Sequence, residues 1–151
     1  MRKFMVVVDE TPECQNAMRY AARRAQNTNG GVLMLFVIPP EEFQHWMGVA
    51  EVMRAEARDA AEERLQELAD ELNRLTGIMP EFQIREGKRV EEVLATIDDD
   101  PEIGVLVLGA GEGDGPGPLV SQIVNKLGGR MRVPVTVVPG GLSLDRIDEI
   151  S

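Results

Sequence analysis

Residues 103–124, IGVLVLGAGEGDGPGPLVSQIV, decide how this chain folds, because an apolar run ends there in a loop rich in glycine. Residues 105–108 are all valine or leucine, which suits a parallel strand buried on both faces. Five glycines follow, at positions 109, 111, 113, 115 and 117, before the chain becomes apolar again. The stretch therefore predicts a strand, a loop and the start of a helix.

The glycine loop has two interpretations. Glycine lets backbone N–H groups approach an anion closely, and a following helix N-terminus adds unpaired donors and a partial positive charge. Ligands of open α/β sheets bind at the carboxyl ends of the strands, which is where this loop begins. The loop is either a phosphate site or a flexible surface loop, and its position alone does not separate the two.

Strands and helices alternate along the chain. Strands are predicted at residues 3–8, 32–38, 79–85, 105–108 and 133–138, and helices at residues 12–27, 49–75, 90–97 and 119–127. Thr11 is the predicted N-cap of the first helix and Pro12 its first residue. Five strands alternating with four helices predict a single-domain α/β fold, an open five-stranded parallel sheet with helices on both faces.

Length and charge narrow the class of protein. The 151 residues fit one domain, which we place at residues 1–139, with residues 140–151 as a short polar C-terminal tail. The net charge of −10 argues against nucleic acid or an anionic membrane as a non-specific partner. The sequence shows neither a secretory signal nor an apolar run long enough to insert into a membrane. Together with a single cysteine, these features predict a cytoplasmic protein.

Residues suited to catalysis are few. His45 is the only histidine, and no second histidine or cysteine pair completes a metal site or a nucleophilic triad. Cys14 is expected either to have a lowered pKa at a helix N-terminus or to be buried against the sheet. The consecutive carboxylates at 98–100 form either a hydrated acidic turn, which we favour, or a cation site. No Gly-Lys-Ser/Thr follows the glycines, so we expect no efficient phosphoryl transfer.

Several segments together resemble the universal stress protein (UspA-like) family. They are VVVD ending at Asp9, LFVI ending at Ile38, IREGKRVEEVL at residues 84–94, VLVLG ending at Gly109 and RVPVTVVP at residues 132–139. The resemblance covers nearly the whole chain. It implies the strand order 3-2-1-4-5, a homodimer, and an adenine nucleotide (ATP, ADP or AMP, with or without Mg²⁺) bound as a regulatory ligand.

The resemblance also implies a nucleotide-binding motif in the glycine loop. Nucleotide-binding members carry a glycine, two residues, a glycine, nine residues, then a glycine followed by serine or threonine. Here Gly109 and Gly111 stand at the first two positions with one residue missing between them, and Ser121 and Gln122 replace the last two residues. A serine in place of glycine would be strained if the position requires a positive φ.

Further pocket residues follow from the resemblance by position. Asp9 would contact the adenine or the ribose, Val7 and Val37 would flank the base, and Leu108 and Ile123 would close the pocket. Asp9 has an equally weighted alternative as a turn residue before the first helix.

Two partners are predicted. The apolar edge between Val135 and Val138 would aggregate unless it is paired, which fits the homodimer that the resemblance implies. The alternative function is an interaction module without nucleotide, in which residues 43–47 and the acidic helix contact a protein or a transporter. Residues 41–48 are predicted to be a mobile or partly helical connection that serves as a lid or a partner surface. A weak ATP hydrolase ranks last.

Overall fold

The structure, a computed structural model, describes residues 1–40, 49–113 and 115–151. Its strands are β1 (Lys3–Val8), β2 (Gly31–Ile38), β3 (Glu81–Glu86), β4 (Ile103–Ala110) and β5 (Val135–Pro139). Its helices are α1 (Glu13–Thr28), α2 (Val49–Thr76), α3 (Arg89–Asp99), α4 (Pro118–Val124) and α5 (Leu144–Ile150). The predicted alternation of strands and helices is confirmed, and the structure adds a fifth helix.

The five strands form one parallel sheet in the order β3-β2-β1-β4-β5, which confirms the order that the resemblance implied. At its centre, Val6 of β1 lies opposite Met34 of β2 and Val107 of β4. The chain leaves β1 and β4 towards opposite sides of the sheet. Parallel sheets bind ligands at such a switch point, outside the carboxyl ends of the strands.

Helices cover both faces of the sheet. Helices α1, α2 and α5 pack on the face that carries Val6, Met34 and Val107, and α3 and α4 pack on the opposite face. Neighbouring residues along each strand point to opposite faces, and in the three central strands β1, β2 and β4 residues on both faces are buried. This is why these three strands are continuous apolar runs in the sequence, whereas the edge strand β3 (EFQIRE) is largely exposed and carries charged residues.

The carboxyl-terminal segment was wrongly predicted to be only a polar tail. Residues Leu144–Ile150 form α5, which contacts α1. Ile147 is fully buried, and Asp148 receives an ion pair from Arg19 at 2.6 Å and one from Arg23 at 3.1 Å. The side chain of Ser143 caps the helix by accepting a hydrogen bond from a backbone N–H. One apolar side chain and one carboxylate thus dock a helix whose sequence is mostly polar.

A buried asparagine links α1 to the chain that follows β5. Asn16 is 8% exposed, and its side-chain amide donates to the carbonyl oxygens of Pro139 (3.2 Å), Gly140 (3.0 Å) and Leu142 (3.1 Å). Backbone pairing continues the link, because the N–H of Gly140 donates to Ala110 at the end of β4. Asn16 therefore stabilises the connection between β5 and α5.

Several helix ends differ from the prediction, including the start of α1 and the end of α4. Helix α1 begins at Glu13 with Pro12 at the N-cap position, so Thr11 is not its cap. Helix α4 ends at Val124 rather than at 127, and turns follow it up to residue 130. Among the residues described here, no helix is both long and apolar enough to cross a membrane.

Candidate functional site

Two cavities open at the carboxyl edge of the sheet. The larger, which we call the β1–β2 cleft, has a volume of about 430 Å³ and lies between the ends of β1 and β2 and the first half of α2. The smaller, the loop cavity, has a volume of about 80 Å³ and lies between the end of β4, the start of α1 and residues 116–120. Asp9, Thr11 and Arg89 line both cavities, so the two adjoin at these residues.

Asp9 is a turn residue that uses only one of its two carboxylate oxygens in the turn. Its Oδ1 accepts hydrogen bonds from the backbone N–H of Thr11 at 2.9 Å and from the Thr11 hydroxyl, which fixes the turn between β1 and α1. Its Oδ2 accepts no hydrogen bond from the part of the chain that the structure describes, and the side chain is half-buried. The turn role is confirmed, and it leaves the second oxygen available to a ligand.

The predicted apolar residues divide between the two cavities. Val37 lines the β1–β2 cleft, whereas Val7 and Leu108 line the loop cavity. Ile123 is fully buried in the core beneath α4, and it lines neither of these two cavities. Val120, one helical turn earlier, lines the loop cavity in its place.

Gly109 has a packing role that needs no ligand. A Cβ atom added at this position would lie 2.4 Å from the carbonyl oxygen of Glu13, which is the first residue of α1. No side chain fits at that distance, so glycine is required for α1 to approach β4. The presence of glycine here is explained before any phosphate is considered.

The loop that follows is closed on itself. The backbone N–H of Gly111 donates to the carbonyl oxygen of Pro116 at 3.2 Å. The carboxylate of Glu13 faces the same glycine, with Oε1 3.3 Å from the position of an added Cβ atom. Positive φ values belong to Gly113 (113°) and Gly117 (100°) instead. The second glycine of the motif therefore has its N–H occupied and an anionic group beside it.

Ser121 and Gln122 are exposed residues of α4. The N–H and the hydroxyl of Ser121 both point to the carbonyl oxygen of Gly117, each at 3.2 Å. The only positive φ outside glycine in the described residues is at Asn29, so the expected strain at Ser121 does not arise. Gln122 lines a third, shallower space, which we call the α3–α4 groove.

Arg89 is the residue that the sequence interpretation missed. It is the first residue of α3, is half-buried, and lines the β1–β2 cleft, the loop cavity and the α3–α4 groove. Arg64 of α2 also lines the cleft. The side chain of neither arginine has a hydrogen bond or an ion pair with the described residues. The adjacent cations at 88 and 89, between a strand and a helix of an acidic chain, were a signal for this position.

The alternatives for Cys14 are settled in favour of burial. The side chain is 2% exposed, and burial raises the pKa of its thiol to about 11. Because a thiol with so high a pKa stays protonated at neutral pH, Cys14 is a poor nucleophile.

The acidic turn at residues 98–100 is ion-paired. Asp98 pairs with Arg130, Asp99 with Arg85, and Asp100 with Lys3, each at 2.8 Å. Hydrogen bonds from Arg130 and from Lys3 lower the pKa of Asp98 and of Asp100, respectively. The carboxylates thus bind separate cations.

Across the described ranges no three histidine, cysteine or acidic residues are grouped to hold a metal ion. His45 and residues 43–47 lie outside the described residues.

Comparison with known proteins identifies the family. The model of the universal stress protein family matches residues 1–139. UspA from Lactobacillus plantarum superposes with a TM-score of 0.64 at 22% identity, covering 91% of this chain and 97% of that one. The universal stress protein from Archaeoglobus fulgidus in complex with dAMP superposes with a TM-score of 0.65 at 16% identity, covering 91% of this chain and 98% of that one. A universal stress protein solved in complex with cAMP superposes with a TM-score of 0.57 at 16% identity, covering 93% of this chain and 98% of that one. No curated protein matches the sequence.

Proposed function

Because the chain belongs to the universal stress protein family, we propose that it binds an adenine nucleotide, ATP, ADP or AMP, as a regulatory ligand. The observation that carries the proposal is the carboxylate oxygen of Asp9 in the β1–β2 cleft that no described residue occupies, with an apolar wall at Val37 and two arginines whose side chains have no partner among the described residues. The solved complexes of related proteins with dAMP and cAMP give it further support.

The β1–β2 cleft has the size and lining that a nucleotide needs. Small-molecule sites enclose roughly 300–1,000 Å³ and combine apolar walls with a few polar groups, and this cleft holds about 430 Å³. Asp9 is an acceptor for an N–H or O–H group of the nucleoside. Arg64 and Arg89 supply positive charge for its phosphates. Any accompanying Mg²⁺ would be held largely by phosphate oxygens and water.

A regulatory role fits the chemistry of the site better than rapid turnover does. Cys14 is buried with a raised pKa, and in the described chain the loop after β4 presents its Gly111 N–H to Pro116 rather than to a ligand. An enzyme that transfers phosphoryl groups needs donors aimed at the phosphates. We therefore expect slow hydrolysis at most.

The proposed assembly is a cytoplasmic homodimer that pairs through β5. This strand lies at an edge of the sheet, and Val137 on it is 37% exposed. An apolar edge strand is a template for pairing with a second chain. Sedimentation equilibrium should give twice the monomer mass of 16.6 kDa. A monomeric mass at micromolar concentration would remove the dimer from the proposal.

Isothermal titration with ATP, ADP and AMP tests the nucleotide proposal. Ala57 of α2 lines the β1–β2 cleft, so Ala57→Trp should fill the space and abolish binding. Ala55, which is exposed and does not line the cleft, gives the matched control Ala55→Trp. Absence of heat and of thermal stabilisation with millimolar nucleotide would refute the proposal. Equal binding by both variants would place the nucleotide elsewhere.

The second candidate function is an interaction module without nucleotide. The observation that favours it is the closed glycine loop, in which the carboxylate of Glu13 faces Gly111. Under this alternative a protein or transporter partner binds the chain directly. Ala57→Trp would then leave partner binding intact while no titration with nucleotide gives heat.

A further inference from the structure

Glu13 places a carboxylate beside the loop after β4. It is the first residue of α1, is half-buried, and lines the loop cavity. Its Oε1 lies 3.3 Å from where a Cβ atom at Gly111 would be, and its own Cβ lies 3.1 Å from where one at Gly140 would be. The side chain therefore lies against both the loop after β4 and the turn after β5. It makes no hydrogen bond or ion pair with the described residues.

The two cavities at the carboxyl edge of the sheet differ in charge. The described lining of the β1–β2 cleft balances two acids, Asp9 and Glu10, against two cations, Arg64 and Arg89. The described lining of the loop cavity also has two acids, Asp9 and Glu13, but Arg89 is its one cation. The excess of negative charge on the side of the loop cavity is therefore due to Glu13.

A phosphate chain that extends from the β1–β2 cleft into the loop cavity approaches this carboxylate. The two cavities adjoin at Asp9, Thr11 and Arg89, so Arg89 is the cation at their junction. The loop cavity holds only about 80 Å³, which leaves little room for water between a phosphate and Glu13. Like charges that are close together and poorly screened by water repel each other. Each further phosphate adds negative charge to a cavity that has one described cation.

We infer that Glu13 is a specificity-determining residue whose carboxylate selects against a long phosphate chain, so that it lowers the affinity for ATP more than the affinity for AMP. The inference rests on the proposed function, since it concerns the phosphates of that ligand. AMP and ATP have the same nucleoside and differ only in the phosphates. The ratio of their affinities therefore measures the effect of Glu13 separately from the contacts of Asp9 and Val37 in the cleft.

The test is isothermal titration of AMP and ATP into the full chain and three variants, with EDTA present so that no Mg²⁺ neutralises the phosphates. Glu13→Gln should raise the affinity for ATP about fivefold and that for AMP less than about twofold. Glu13→Ala should give the same result, because it removes the charge without adding an amide. Glu67→Gln is the matched control, because Glu67 is exposed on α2 and lines neither cavity.

Ionic strength provides a second readout that a purely structural role of Glu13 would not change. Dissolved salt screens the repulsion between a carboxylate and a phosphate. The gain in ATP affinity of Glu13→Gln over the wild type should therefore shrink when the salt concentration rises from about 0.05 M to about 0.5 M.

The outcomes separate the role of Glu13 from the nucleotide proposal. Binding by the wild type, with the ATP-to-AMP affinity ratio of both Glu13 variants equal to that of Glu67→Gln, would overturn the inference and leave the nucleotide proposal standing. A gain in Glu13→Gln that is absent from Glu13→Ala, or that salt does not reduce, would also overturn the inference. Binding by the Glu13 variants alone would support the inference and remove the nucleotide proposal for the wild type. No binding by any of these proteins would overturn both.

Discussion

Replacing Asn16 by alanine should destabilise the fold strongly, even though only one side chain changes. The amide has two N–H hydrogens that serve three backbone carbonyls after β5, and the residue is 8% exposed. A hydrogen bond contributes about 1 kcal/mol, and a buried group left without a partner costs about 1–3 kcal/mol. The amide contributes two hydrogen bonds, and water can reach part of the carbonyls that it leaves. We therefore expect a loss of about 2–3 kcal/mol in the free energy of unfolding.

Urea denaturation followed by circular dichroism measures this loss, and the melting temperature should fall by about 5–10 °C. Hydrogen exchange adds a local readout, since the amides of α5 should lose protection before those of β1 do. The control is Gln15→Ala, at the exposed neighbouring position. A change in Asn16→Ala of less than about 0.5 kcal/mol, or uniform loss of protection across β1 and α5, would refute the role assigned to Asn16.

Three further predictions concern the site and its support. Gly109→Ala places a Cβ atom 2.4 Å from the Glu13 carbonyl oxygen, and thermal melts should show destabilisation of about 1–3 kcal/mol. Asp148→Asn removes the pair with Arg19, whose hydrogen bond lowers the pKa of Asp148. The resulting loss of about 1 kcal/mol should be complete above the unfolded-state pKa of about 3.9 and should disappear as the pH falls through the lower folded-state pKa. Ser121→Ala should change ATP affinity by less than about twofold in titration calorimetry, because its hydroxyl points to a backbone carbonyl.

Matched variants sharpen these measurements. An added Cβ atom at Gly115 meets nothing within 4 Å, so Gly115→Ala should be close to neutral where Gly109→Ala is not. Glu149→Gln removes an ion pair whose side chains are 59% and 66% exposed, so it should cost much less than Asp148→Asn. Equal effects of Gly109→Ala and Gly115→Ala would contradict the packing role of Gly109, and equal effects of Asp148→Asn and Glu149→Gln would contradict the role of the Arg19–Asp148 ion pair. A tenfold loss of ATP affinity in Ser121→Ala would show that the Ser121 hydroxyl contacts the nucleotide after all.

The fold was predictable because its three central strands, β1, β2 and β4, are buried on both faces. Such strands must be apolar along most of their length, and turn residues such as Pro39 and Gly77 mark where the elements end. Helix α5 escaped prediction because Ile147 is its only buried residue and an ion pair supplies the rest of its docking. A contact between residues more than a hundred positions apart, such as Arg19 with Asp148, leaves no local pattern.

The candidate site was predictable only in part. Asp9 stands directly after a buried strand, so its place at the carboxyl edge follows from the sheet. The motif of glycines drew attention to Gly111, yet neither its bond to Pro116 nor the neighbouring Glu13 carboxylate can be seen from spacing. Arg89 matters because it lines three cavities, and that is a property of tertiary structure.

The most direct test of nucleotide binding is an NMR titration of ¹⁵N-labelled protein with ATP, which follows every backbone amide at once. The account predicts concentration-dependent shifts at Asp9, Thr11, Val37 and Arg89, which line the β1–β2 cleft, and no shift at Ile147 of α5, which does not line it. No shifts at millimolar ATP, or shifts confined to residues away from this carboxyl edge, would contradict it.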